Sequence, residues 1–258
     1  MSHYNIQHVE KAPGASANHP KPISTNVGKH IDISKKIPCT NDVVMHTGKF
    51  SITLTRSNRR TRFDGSAVMQ KIQWIFEGTN VGNAPMKAFS MVMSLSVFTP
   101  WEGECAVKLK AFLKKAGIKG RVSIQETDII ITEVPNGPDT RMVTFNFPQN
   151  ITYKHAERFK LEICMTWRIA CYFQDVEYYF TDPQKNCEDI AQLEIEVKTN
   201  MEEIMGREYR LYTVDRESKE FFPVQQRPQI DERAKTVVWK INDPLKALYA
   251  IEIRNSKN

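Results

Sequence analysis

The 258-residue sequence predicts a mostly β fold: an antiparallel β-sandwich, either as two tandem sandwich domains or as one elaborated sandwich, with one short amphipathic helix and an extended N-terminal arm. Three observations predict it. First, residues 50–55 (FSITLT) alternate apolar and polar side chains at period two, the pattern of a strand with one buried face. Twelve segments of similar character follow, at 68–76, 89–98, 121–124, 129–134, 142–147, 159–173, 176–180, 193–198, 209–214, 219–222, 236–241 and 248–253. Second, Asn136-Gly137 lies between 129–134 and 142–145 and supplies the positive φ angles of a hairpin turn, with Pro135 and Pro138 blocking further pairing. Third, Trp74, Trp167 and Trp239 sit in comparable strand contexts (IQWIF, MTWRI, VVWKI), as the core anchors of a sandwich do.

In chain order, residues 1–47 read as the arm, because their first two dozen residues are rich in Pro, Gly, Ser, Asn and His and show no period. Five of the six histidines lie at or before position 46, but His3, His8, His19 and His30 have no carboxylate or cysteine pattern around them, so no metal site is expected. Residues 48–150 read as a basic sandwich domain containing a helix over 100–116. Thr99 is its cap, Pro100 opens the first turn, Glu102 stands three residues after the cap and Gly117 takes the C-terminal position. Cys105, Leu109, Phe112, Leu113 and Ala116 would share its apolar face. A boundary falls between 148 and 155, and residues 151–258 read as an acidic sandwich domain with a short helical turn near 200–203.

Composition narrows the class. A hydrophobic fraction of 41% with 26% charged residues is globular, and the longest uncharged apolar-rich run, 88–101, falls short of the roughly 20 residues of a spanning helix. No membrane partner is expected. The N-terminus lacks a basic start followed by an apolar run, so no secretory signal is read there. Five cysteines, an odd number without a CxxC pair, point to reduced thiols and a cytoplasmic location.

Charge is polarised along the chain. Residues 48–121 hold 13 Lys/Arg against 4 Asp/Glu (+9), residues 122–258 hold 18 against 23 (−5) and the first 47 hold 5 against 3 (+2), giving the overall +6. The basic candidates for a polyanion or partner are Arg56, Arg59, Arg60 and Arg62, four guanidiniums in seven residues, with Lys108, Lys110, Lys114, Lys115 and Lys119. The acidic counterpart is Glu188, Asp189, Glu194, Glu196, Glu202 and Glu203. Glu194 and Glu196 lie two apart in LEIEV and share one strand face.

Catalytic templates are missing: the sequence has no GxSxG, GxxxxGK[ST], HExxH or GxGxxG. His155, the only histidine of the last 200 residues, falls in what reads as an exposed turn. The expectation is therefore a non-enzymatic cytosolic accessory protein, with no catalytic residue, cofactor or metal, that binds a protein partner or assembles with itself through oppositely charged faces. The alternative is a nucleic-acid-binding structural protein of the viral coat or movement type, contacting phosphates through the 56–62 loop.

Overall fold

A computed structural model describes residues 42–60, 66–94, 108–134, 137–169, 176–181, 190–215, 218, 220–245 and 247–255. The arm at 1–41 lies outside them. Among the described residues, fifteen strands make three sheets, all antiparallel except for one pair, in a sandwich-like arrangement. The largest has eight strands in the order β13 (Gln229–Asp231), β14 (Thr236–Asn242), β10 (Ile190–Thr199), β1 (Val43–Arg60), β2 (Ser66–Asn80), β8 (Arg158–Ile169), β4 (Lys108–Lys114) and β5 (Val122–Ile124). A four-stranded sheet runs β12 (Phe221–Pro223), β11 (Glu208–Val214), β15 (Leu248–Arg254), β9 (Val176–Thr181). A three-stranded sheet runs β3 (Ala88–Ser94), β7 (Gly137–Asn146), β6 (Ile129–Val134).

The period-two pattern gives the large sheet two unlike faces. In one cross-strand row, Trp239, Ile195, Phe50, Trp74, Ile163 and Ala111 are register partners from β14 to β4, and all six are buried. One residue along each strand, the row reads Lys240, Glu194, Lys49, Ile75, Glu162 and Phe112. The apolar face receives the other two sheets. Phe89 of β3 stacks on Phe76 of β2 at 5.8 Å and tilts against Phe159 of β8 at 6.2 Å, while Tyr209, Leu211, Ile251 and Ile253 bring the four-stranded sheet into the same core. Gly78 of β2 is required where the sheet approaches its neighbours: a Cβ there would lie 2.7 Å from the Val44 carbonyl oxygen and 2.9 Å from both Met45 Sδ and the Phe159 ring.

The parallel pair joins the halves. β1 lies between β2, antiparallel, and β10, parallel, with Phe50 opposite both Trp74 and Ile195. Strands from both sides of the expected 148–155 boundary therefore complete one sheet.

The expected helix over 100–116 is corrected. Residues 100–107 lie outside the described residues, and Lys108–Lys114 form strand β4, paired with β8 and β5. The reason is visible in K-L-K-A-F-L-K: Leu109, Ala111 and Leu113 alternate onto the apolar face, while Lys110, Phe112 and Lys114 take the other. The short helix that does form is α1, Glu202–Met205, at the turn expected near 200–203; Tyr209 Oη donates to the Ile204 carbonyl at 2.6 Å and ties it to the core. β6 and β7 pair antiparallel as expected, although residues 135–136 of the expected turn lie outside the described residues; pairing continues to Val134 opposite Gly137 and β7 runs through Pro138, so that proline does not end the strand. Trp74 and Trp239 are core anchors at 1% exposure. No helix among the described residues is long and apolar enough to cross a membrane.

Candidate functional site

The polar face of the large sheet carries four of the charged candidates, Glu194, Glu196, Lys110 and Lys114. Because β1 comes from the basic half and β10 from the acidic half, their parallel pairing sets Lys49 between Glu194 and Glu196. Lys49 Nζ ion-pairs with Glu194 and lies 3.0 Å from Glu196, whose carboxylate also accepts from Ser51 Oγ at 2.8 Å and meets Lys198 Nζ at 3.1 Å. Burial alone would raise the Glu196 carboxyl; hydrogen bonds from Lys49, Ser51 and Lys198 outweigh it and hold the group below its ordinary value. Burial would likewise lower the Lys49 ammonium, yet its bonds to Glu194 and Glu196 leave it raised.

Arg56, at the far end of β1, pairs with Glu203 of α1, and Glu202 lies 3.6 Å from Lys235. Of the two candidate sets the described residues bring together only Arg56 and Glu203; Glu194, Glu196 and Glu202 instead meet Lys49, Lys198 and Lys235, because strand order, not chain order, decides which charges become neighbours. Arg62, Glu188 and Asp189 lie outside the described residues, as do the side chains of Arg59, Arg60 and Lys108.

Toward β5 the same face changes character. Glu162, 8% exposed, accepts two hydrogen bonds from Arg121 at 2.9 Å each and one from Gln73 Nε2 at 2.7 Å, and the Cys164 thiol approaches at 3.5 Å. Arg121 lies over the Phe112 ring at 5.2 Å from its centroid. Lys160 pairs with Glu77. Lys71, Lys110 and Lys114 are exposed and form no ion pair among the described residues. Lys119 is exposed in the β4–β5 turn. Lys115 is committed elsewhere: it donates to the Thr152 carbonyl, sits 3.4 Å from Glu157 and lies over Tyr153, whose phenol burial pushes up to about 12.

A second surface was not singled out by the sequence. β6 is an outer strand of the three-stranded sheet, and no strand among the described residues pairs with its outer edge. Its Ile130 and Ile131 are 48% and 46% exposed, although register places Ile131 beside buried Val143 on the inner face. Other edges are blunter: β5, β12 and β13 are three residues each, and the longer β3 and β9 bury Phe89, Met91, Tyr179 and Thr181. An apolar run such as IIITEV reads the same for an inner strand as for an edge, so sequence carried no signal of this exposure.

His155 is exposed in the turn before β8, with Nδ1 3.3 Å from the Gly82 carbonyl oxygen. A third buried carboxylate, Glu252, is fully enclosed; it accepts from Tyr212 Oη at 2.6 Å and lies 2.5 Å from the Arg254 guanidinium.

No protein family model matches the chain, and no curated protein matches it. Among solved structures, it is similar to a provisionally assigned nutrient binding protein from Legionella pneumophila (10% identity, TM-score 0.47, covering 82% of this chain and 67% of that one). It is also similar to a provisionally assigned protease from Parabacteroides distasonis (10%, 0.44, 83% and 41%) and to an M1 zinc metallopeptidase from Deinococcus radiodurans (9%, 0.42, 86% and 45%). The chain spans less than half the length of the last two. Likeness at these TM-scores carries no argument about activity.

Proposed function

We propose that the chain is a non-enzymatic β-sheet binding module that associates with a second copy of itself by strand addition at β6. The observation that carries this reading is the outer edge of β6, unpaired among the described residues, with two adjacent isoleucines close to half exposed. An extended apolar edge presents a row of free N–H and C=O groups ready to continue a sheet, which is why folded proteins usually shorten or charge such edges. Among the described residues, three of the six sheet edges are shortened to three residues and β6 is not. Antiparallel pairing about a twofold axis would set β6 against itself over about 20 Å, at roughly 3.4 Å per residue, and cover Ile130 and Ile131 of both copies. A contact that small belongs to weak, transient association.

The non-enzymatic part of the reading is supported by the engagement of the buried carboxylates: Glu162, Glu196 and Glu252 are each occupied by internal hydrogen bonds or ion pairs. We take the chain to be cytoplasmic, supported by its odd number of cysteines and by the free thiol of Cys164.

Sedimentation across about 1 to 200 μM tests the association. The wild-type chain is expected to move from monomer toward dimer, and Ile130→Lys with Ile131→Lys to hold it monomeric with an unchanged circular dichroism spectrum. A wild-type chain that stays monomeric throughout would overturn the reading.

A further inference from the structure

On the polar face of the large sheet, four of the basic side chains are paired with carboxylates. Lys49 and Lys198 meet Glu194 and Glu196, Lys160 meets Glu77 and Arg121 meets Glu162. Lys71 on β2 and Lys110 and Lys114 on β4 form no ion pair among the described residues and are exposed. The two β4 lysines flank an aromatic ring. Lys110, Phe112 and Lys114 alternate along β4 on one face, so Phe112 stands between two lysines in the strand. Arg121, clamped by both oxygens of Glu162, holds its guanidinium over that ring. A flat aromatic and guanidinium pair set among unpaired lysines on an open sheet is the chemistry that receives bases by stacking and a phosphate backbone by charge.

We infer that the β2–β8–β4–β5 side of this face binds single-stranded nucleic acid, with Lys71, Lys110 and Lys114 on phosphates and the Phe112–Arg121 pair against a base. The surface differs from the 56–62 loop suggested by the sequence, in which Arg56 is already paired with Glu203. It is independent of β6, whose sheet packs on the opposite, apolar face.

The test is fluorescence anisotropy of the full chain with a labelled 20-mer of oligo(dT) between 50 and 300 mM salt. Three phosphate contacts predict a slope of log affinity against log salt of about −2, from roughly 0.7 per contact on a single strand. Lys110→Glu with Lys114→Glu is expected to abolish binding. Phe112→Ala is expected to weaken it about 5- to 150-fold, the range of one stacked base, with a little-changed salt slope. Ile130→Lys with Ile131→Lys and Arg56→Glu, which leave this face intact, should bind as the wild type does. The inference is overturned by no binding at 50 mM salt. It is equally overturned if duplex DNA or heparin binds as tightly as the single strand and Phe112→Ala is silent, because that pattern describes charge attraction alone.

Discussion

Replacing Phe50 with alanine probes the strand on which the two halves of the chain meet. The ring is 1% exposed, lies 5.9 Å from the Trp74 ring and stands in register with Trp74 on β2 and Ile195 on β10. Truncating a buried phenylalanine costs about 3 to 5 kcal/mol, the lost transfer energy plus the cavity left behind. With a urea dependence of about 3 kcal/mol/M, the upper end for small domains, the midpoint should fall by roughly 1 to 1.7 M. The assay is urea unfolding followed by tryptophan fluorescence and by far-ultraviolet circular dichroism. Trp74 reports from the basic half and Trp239, on β14, from the acidic half. Because β1 is bonded to both halves, the two probes should shift together in one transition. A loss below about 1 kcal/mol, or a second transition left in place by the substitution, would refute the reasoning.

Two further outcomes follow from the polar face. Glu196 is held below its ordinary carboxyl value, so it contributes stability above the unfolded carboxylate range that is lost as pH falls through its lowered folded value. Glu196→Gln should therefore cost about 1 to 3 kcal/mol near neutral pH and flatten the acid limb of urea midpoints measured from pH 7 to 3; a parallel curve would exclude the ion-pair account. Lys49 is raised, so its contribution is complete below about 10.5 and is lost as pH climbs through its higher folded value, which midpoints taken above pH 10 would show. Burial pushes the Cys164 thiol up to about 11, leaving about 0.1% thiolate at pH 8. Iodoacetamide labelling read by peptide mass should spare Cys164 in the native chain and modify it in urea; rapid native labelling would contradict its burial.

Strands were legible in the sequence wherever one face is buried, because alternation is a local signal: 50–55, 209–214 and 236–241 lie within β1, β11 and β14. β4 was not legible. Thr99, Pro100 and Gly117 mimic helix punctuation, and K-L-K-A-F-L-K-K satisfies a helical stripe almost as well as an alternating one, so pairing with β8 decides between them. Charge neighbours were hidden for a different reason. Lys49 and Glu194 are 145 residues apart and meet only through the parallel β1–β10 pair, a contact no local pattern announces. Lys110 and Lys114 were singled out as basic residues, but Lys71 and the Arg121–Phe112 contact become their neighbours only through strand order. The aromatic doublet Phe221-Phe222 behaves as alternation requires: Phe221 packs edge-on against Tyr212 at 5.7 Å, and Phe222 is half exposed.

The edge of β6 is tested most directly by hydrogen exchange of the backbone amides at 129–134 in dilute and in concentrated protein. Strand addition predicts that the outward-facing amides exchange fast at about 1 μM and gain protection at about 200 μM, while amides of β2 are unchanged. Exchange at 129–134 that is the same at both concentrations would contradict the account.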